Sequence, residues 1–170
     1  MKNIQTLIIL AIIVGLSSCS YKGRIPADNL RIYKRTVPEY QKGQSLNIIN
    51  YYKKSTVVPF TASKGKYGGG FDIEYDLKIY SNTAVKLVTQ GVEHQSVYVT
   101  DKTKKSVTLR VTQIIPEMGF SSYAYDIVVN VMLSNGESFE VNAKKSGIGK
   151  TLIKASEKIL QNPKFVKFMN

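Results

Sequence analysis

The segment 144–151 carries residue types that bind phosphate in other proteins. It reads Lys-Lys-Ser-Gly-Ile-Gly-Lys-Thr, and its last three residues match the end of the loop motif in which backbone N–H groups and a lysine hold nucleotide phosphates. The full motif needs a second glycine five positions before Gly149, and that position is Lys144. The segment therefore predicts a glycine-containing connection from a strand to a helix, without a nucleotide site.

Three carboxylates alternate with apolar residues at Asp72, Glu74 and Asp76. On a strand, residues two apart lie about 6.6 to 7 Å from each other on one face, a spacing not unlike that of paired catalytic carboxylates. No histidine or second acidic cluster accompanies them in the sequence, so a solvated sheet face is the favoured interpretation. We expect no metal site and no catalysis here.

The single histidine, His94, falls at the end of a predicted helix and has no matching nucleophile or carboxylate. Apart from serines and lysines scattered through predicted loops, the chain offers no constellation of nucleophile, base and orienting group. We therefore expect a protein that is not an enzyme and that holds neither a metal ion nor a cofactor.

The only cysteine, Cys19, follows a segment typical of secretory signals. Lys2 supplies a positive start, and the apolar run 7–16 is too short for a membrane span of about 20 residues. Residues 16–19, Leu-Ser-Ser-Cys, resemble the lipobox of bacterial lipoproteins, which implies cleavage before Cys19 and acylation of its thiol. A lone thiol in an exported protein calls for an explanation, and acylation supplies one.

The same resemblance implies a destination. Because Ser20, and not aspartate, follows the cysteine, sorting rules of such lipoproteins imply delivery to the outer membrane, with the domain facing the periplasm. Display at the cell surface stays open as an alternative. A permanent membrane anchor and an ordinary cleaved signal that leaves a free thiol are the two other interpretations of this segment.

The chain is strongly basic, with 24 Lys and Arg against 12 Asp and Glu and a net charge of +12. Such a charge favours anionic partners. For an exported protein these are lipopolysaccharide, acidic phospholipids or peptidoglycan, and not nucleic acid; a purely solubilising role is the alternative. The lysines predicted to form an anion-binding surface are Lys64, Lys66, Lys102, Lys104, Lys105, Lys144 and Lys145.

Three segments are predicted: a signal peptide over 1–18, a lipidated basic tether over 19–44 and a single domain over 45–170. The tether is expected to be flexible because it combines prolines and charges without a sustained period. One domain is expected because the mature chain has the size of one ordinary core.

Alternating apolar residues predict several strands, and the Asn135-Gly136 pair predicts a tight hairpin turn. A first helix is predicted to be capped by Ser81, and a second to run over 150–161. The strands are predicted over 46–52, 57–60, 71–79, 97–99, 107–115, 123–133 and 139–143. This order predicts an α+β fold, with a mainly antiparallel sheet and two helices on one face.

Several of these features together resemble small YajG-type bacterial lipoproteins. They are the lipobox, the tyrosine-rich meander with its Asn-Gly turn, the glycines between strand and helix, and a closing helix that ends in Asn-Pro-Lys-Phe-Val-Lys-Phe-Met. The resemblance implies an envelope lipoprotein without known catalytic residues. We therefore expect the protein to bind an anionic envelope component or a protein partner.

Lipopolysaccharide-assembly lipoproteins of the LptE kind share the same outline and form the alternative. That resemblance implies lysines that bind lipid A phosphates and a domain that plugs a barrel partner. It requires basic side chains that converge on one loop, around Lys64, Lys66 and the turn 102–105.

Overall fold

The computed structural model describes residues 21–23, 29–61, 72–118 and 123–170. Cys19, Lys64, Lys66 and the signal segment 1–18 lie outside these residues. In chain order the elements are β1 (Tyr21–Lys22), a 3-10 turn (Lys34–Thr36), β2 (Ser45–Asn50), β3 (Val57–Thr61), β4 (Asp72–Asp76), α1 (Leu77–Glu93), β5 (Tyr98–Val99), β6 (Ser106–Met118), β7 (Tyr123–Leu133), β8 (Ser138–Ser146), α2 (Ile148–Gln161) and α3 (Pro163–Met169).

In the described residues the strands form two sheets. The main sheet has the order β5-β2-β6-β7-β8, in which β6, β7 and β8 are antiparallel and β2 runs parallel to both of its neighbours. The small sheet has the order β1-β4-β3. The predicted α+β fold is confirmed, and its longest ladders are antiparallel as expected; the parallel placement of β2 was not predicted.

The core lies between the main sheet and the helices α1 and α2. Alternate residues of the strands face it, such as Leu109 on β6 and Val129 on β7, and both are fully buried. Leu87 of α1 and Leu152 of α2 close it from the other side. Each such side chain contributes about 1.5 to 3 kcal/mol by leaving water. No helix in the described residues is long and apolar enough to cross a membrane.

The start of α1 differs from the sequence prediction. The strand expected over 71–79 ends at Asp76, and the helix begins at Leu77. The Asp76 carboxylate accepts hydrogen bonds from the N–H groups of Lys78, at 3.0 Å, and Thr56, at 3.1 Å, and so caps the helix. Ser81, the predicted cap, is instead buried in the second turn. Leu77 fits both the period of two of a strand and the period of a helix. The cap formed by Asp76 therefore determines where the helix begins.

The segment 29–44 was predicted to be part of a flexible tether, but in the structure it is packed. Ile32, Val37 and Tyr40 are buried in the core. The hydroxyl of Tyr40 donates to the carbonyl of Leu160 at 2.7 Å. The domain therefore begins well before residue 45. The sequence did not predict this, because these apolar side chains have no regular spacing and are covered by helices far away in the sequence.

The two ends of the main sheet are named after residues that lie there. At one end, called the Tyr123 end, β6 finishes, β7 starts and β8 finishes. At the other, called the Asn135 end, β6 starts and the hairpin 133–138 joins β7 to β8. The small sheet lies towards the Tyr123 end, since β4 leads directly into α1, whose first turns are bonded to Asn50 at the end of β2 and to Val111 of β6. Tyr125 of β7 also raises the pKa of Tyr75 on β4.

Candidate functional site

The lysines predicted to bind anions fall into two separate groups. Lys102 and Lys104 are exposed in the turn before β6, at the Asn135 end. Lys144 and Lys145 lie near the end of β8, opposite residues 125–126 of β7, at the Tyr123 end. The strand between these ends spans roughly 30 Å or more at about 3.3 Å a residue. The structure therefore does not bring the two groups together.

Lys105 belongs to the interior of the domain more than to a binding surface. Its ammonium donates to Oε1 of Gln44 and lies 5.1 Å from the ring centroid of Phe168. Partial burial lowers the pKa of Lys105 below its ordinary value. These contacts join the turn before β6 to α3, which is a structural role.

Lys144 is also engaged within the domain. Its ammonium lies 2.5 Å from the carboxylate of Glu117 on β6, and both side chains are about half exposed. Such an exposed ion pair contributes about 0 to 1 kcal/mol. Lys145, whose side chain is exposed, lies directly across the ladder from Tyr125. Among the predicted residues, Lys102, Lys104 and Lys145 thus remain as candidates for contacts with a partner.

A row of lysines on the C-terminal helices was missed as a site by the sequence prediction. Lys150, Lys154 and Lys158 recur every four residues on α2, so they follow one face of the helix. Lys158 donates to the carbonyl of Asn142 at 2.7 Å, and Lys164 of α3 donates to that of Ser138 at 2.9 Å. The spacing was visible in the sequence, but the proximity of these lysines to β8 was not.

Arg110 is held by two tyrosines. Its guanidinium lies 4.5 Å from the ring centroid of Tyr51 and 5.8 Å from that of Tyr52. Its Nε donates to the Tyr52 hydroxyl at 3.3 Å, which raises the pKa of Arg110. The Tyr52 hydroxyl in turn donates to the carbonyl of Val111 at 2.9 Å. This cluster extends the pairing of β6 beyond the point where β2 ends.

The first described residues of the chain fit tightly against two tyrosines. Gly23 donates its N–H to the carbonyl of Glu74 at 2.9 Å and accepts a hydrogen bond from the Tyr80 hydroxyl at 3.1 Å. A Cβ at Gly23 would lie 2.5 Å from Cε1 of Tyr75, closer than side chains pack. The Tyr75 and Tyr80 rings meet edge to face, with centroids 5.7 Å apart. Glycine at position 23 therefore allows β1 to lie against this pair.

Burial raises the pKa of Tyr75, and the neighbouring Tyr125 and Tyr80 raise it further. Burial also raises the pKa of Tyr80. Both hydroxyls therefore stay protonated at neutral pH. Both rings pack as uncharged groups, and the Tyr80 hydroxyl also donates to the Gly23 carbonyl.

The residues considered for catalysis have structural contacts. Asp76 caps α1, as described above, and His94 Nε2 donates to the carbonyl of Ile32 at 3.1 Å. The hydroxyl of Thr151 donates to the carbonyls of Gly147, at 3.0 Å, and Lys145, at 3.2 Å. Among the described residues, no group of histidine, cysteine, aspartate and glutamate side chains is arranged to hold a metal ion.

Comparisons with known proteins give little further information. No protein-family model matches the chain, and no curated protein sequence matches it. Among solved structures, protein XCC0632 from Xanthomonas campestris, described by the family model DUF330, aligns with 88% of this chain and 92% of its own. The identity is 8% and the TM-score 0.40.

Proposed function

We propose that the protein is a non-catalytic lipoprotein of the bacterial envelope, acylated at Cys19 and held on the periplasmic side of the outer membrane. The observation that carries this proposal is the sequence Leu-Ser-Ser-Cys at residues 16–19, directly after an apolar run of signal-peptide length. Acylation also gives the only cysteine of the chain a role. The resemblance to YajG-type lipoproteins agrees with the proposal but supplies no further site.

The proposed task of the domain is to bind an anionic envelope component or a protein partner. The net charge of +12 supports this, as do the exposed lysines Lys102, Lys104 and Lys145. Nucleic acid is not a proposed partner, since an exported protein does not meet it in the envelope.

Metabolic labelling tests the acylation. Cells that express the full chain are fed an alkyne-tagged palmitate, and the purified protein is examined for the tag. We expect the tag in the wild type and in the control variant Ser20→Ala, and no tag in Cys19→Ser. An untagged wild-type protein, or a tagged Cys19→Ser variant, would contradict the proposal.

Photo-crosslinking in intact cells tests the partner. A photoreactive residue replaces Lys104 or Lys145, with exposed Lys86 of α1 as the control position. Capture of peptidoglycan fragments would indicate a wall-binding protein, and capture of a periplasmic protein would indicate a protein partner. Failure of both probes to capture anything beyond the control would contradict a binding role for these lysines.

The LptE-like alternative depends on convergence of basic side chains. The convergence that it requires joins the turn 102–105 to Lys64 and Lys66, which lie outside the described residues. Capture of lipopolysaccharide or of an outer-membrane barrel by the probe at Lys104 would support this alternative.

A further inference from the structure

The distance along the chain between Cys19 and the folded domain is short. β1 begins at Tyr21, two residues after the cysteine. Two residues span at most about 7 Å, whereas a domain of this size has a radius of gyration of about 15 Å. An anchor at Cys19 would therefore be connected to the domain by a segment too short for the domain to rotate freely above a membrane.

The pairing of β1 with β4 determines which part of the domain lies next to the anchor. Tyr21 and Lys22 pair with Ile73 and Glu74 of β4. The next residue, Gly23, is bonded on both sides, to the Glu74 carbonyl and to the Tyr80 hydroxyl. The described chain is therefore held to the small sheet from Tyr21 onwards.

The small sheet in turn marks one end of the domain. β4 runs directly into α1, whose start is bonded to Asn50, at the end of β2, and to Val111, just beyond it towards the Tyr123 end of the main sheet. Tyr125 of β7 influences the pKa of Tyr75 on β4, which agrees with this placement. From Tyr125 to Leu133 the strand extends by roughly 25 Å at about 3.3 Å a residue. The hairpin around Asn135 therefore lies at the far side of the domain from β1.

From this arrangement we propose that β1 is a short, ordered connection that orients the domain on a lipid surface, with its Tyr123 end towards the membrane. The inference rests on the proposed acylation of Cys19. It adds a fixed orientation, which acylation alone does not require. Lys145, beside Tyr125, then faces the lipid headgroups, and Lys102 and Lys104 face away from them.

The orientation gives the two lysine groups different roles. Basic residues are attracted to an anionic headgroup layer, and this attraction fades within a Debye length of about 8 Å at physiological salt. Lys145 is therefore placed to strengthen the contact of the domain with an anionic membrane. Lys102 and Lys104 lie too far from the surface for this and are presented to the periplasm.

Fluorescence quenching by lipids tests the orientation. The mature chain from residue 19 is coupled through Cys19, its only thiol, to a maleimide lipid in phosphatidylcholine vesicles that contain a headgroup-linked quencher. A fluorophore is introduced through an azide-bearing residue in place of Lys145 or Lys102, two exposed lysines at opposite ends. We expect several-fold stronger quenching at position 145. Equal quenching, or stronger quenching at 102, would overturn the proposal.

A chain with a longer tether provides the matched control. A flexible Gly-Ser insertion between Ser20 and Tyr21 leaves the domain unchanged but lengthens the connection, with a reach that grows as the square root of its length. We expect the difference between the two positions to shrink towards zero. A difference that survives the insertion would show that surface affinity sets the orientation, and would overturn the role of β1.

The chemical coupling separates this inference from the proposed function. If cells do not acylate Cys19, metabolic labelling fails, while the vesicle experiment still reports whether β1 orients an anchored domain. Phosphatidylcholine carries no net charge, so the expected difference does not depend on the lysines. The replacement of Lys145 by the fluorophore is matched by that of Lys102, so each labelled chain lacks one exposed lysine.

Discussion

Ser81 of α1 and Ser156 of α2 are fully buried serines with different surroundings. The Ser81 hydroxyl oxygen accepts a hydrogen bond from the N–H of Val111 at 2.9 Å. It does so just beyond the end of β2, where the β6 backbone has lost its neighbouring strand. Within the described residues the Ser156 hydroxyl has no hydrogen-bond partner. The Ser81 hydroxyl therefore accepts the hydrogen bond that a neighbouring strand would otherwise accept. The Ser156 hydroxyl is buried without a hydrogen bond among the described residues.

Alanine substitutions of the two serines should have different effects. Ser81→Ala leaves the buried N–H of Val111 unpaired, so we expect the free energy of unfolding to fall by about 1 to 3 kcal/mol. Ser156→Ala removes an unpaired hydroxyl and improves helix propensity, so we expect no loss, or a gain of up to about 1 kcal/mol. Urea unfolding of both variants measures this. Equal losses in the two variants would contradict the assignment.

Asp76 makes stability depend on pH. Burial raises the pKa of this carboxyl, but hydrogen bonds from Ser55 Oγ and the N–H groups of Thr56 and Lys78 outweigh it and hold the pKa below its ordinary value. A carboxyl whose pKa is lowered by folding stabilises the protein above its unfolded pKa of about 3.9, and this contribution disappears as the pH falls through the folded pKa.

The corresponding prediction concerns Asp76→Ala. At neutral pH we expect the loss of the cap to lower the free energy of unfolding by about 0.5 to 2 kcal/mol. Below pH of about 4 the difference from wild type should shrink, because the wild-type carboxyl is then being protonated as well. Denaturant unfolding at a series of pH values checks it. A difference that stays constant down to about pH 2 would argue against the cap acting as a charged group.

At the scale of elements, β8 is the long edge strand of the main sheet, and lysines cover part of its edge. Gly147 donates its N–H to the Tyr123 carbonyl, and Leu133 donates to that of Glu137. Since bonded pairs alternate in an antiparallel ladder, the even-numbered residues of β8 direct their backbone groups to the open edge. Lys158 and Lys164 occupy two of these carbonyls, on Asn142 and Ser138. Such capping opposes pairing with another chain.

Removal of both lysines should therefore expose the edge. We expect the double variant Lys158→Ala, Lys164→Ala to associate at concentrations where the wild type is monomeric, because the freed carbonyls can accept N–H groups from a second β8. Sedimentation velocity over a concentration series measures the shift towards dimer. The control, Lys150→Ala with Lys167→Ala, loses the same charge away from these contacts. Equal association of the two double variants would implicate charge and not the edge.

The sequence predicted the elements whose signal is local. The alternation over 107–115 and 123–133 and the Asn135-Gly136 turn gave the antiparallel meander correctly. The start of α1 was placed late, because Leu77 suits a strand and a helix equally. The packing of Ile32 had no signal at all, since its partners lie far along the chain. The distance between the two lysine groups depends on the order and register of the strands in the main sheet. The spacing of residues along the sequence does not predict that order.

At the scale of the whole molecule, the N-terminal segment is part of the core and not an attachment to it. Ile32, Val37 and Tyr40 are each less than 10% exposed, at 2%, 7% and 5%. Gln161 Nε2 donates to the Thr36 carbonyl at 2.8 Å, which adds a contact to α2. Burial of three such side chains contributes roughly 5 to 9 kcal/mol, comparable to the entire stability of an ordinary domain, about 5 to 15 kcal/mol.

A truncated chain that begins at residue 45 should therefore fail to fold cooperatively, whereas one that begins at residue 29 should fold. The first loses the core side chains just named, and the second keeps them and loses only β1 and the residues beside it. Thermal unfolding followed by circular dichroism distinguishes the two. A cooperative transition at the same temperature in both would mean that the segment 29–44 contributes nothing to stability.

The parallel placement of β2 has a consequence for the order of folding. Asn47 pairs with Ser106, and the hydroxyl of Tyr40 reaches a carbonyl 120 positions further along the chain. Short turns let β6, β7 and β8 assemble quickly, while contacts between distant residues form slowly because closing long loops costs entropy. If the proposed export is N-terminus first, the residues that dock last therefore leave the translocation channel early. If Cys19 is acylated on arrival, these residues complete their folding beside the membrane that already holds them.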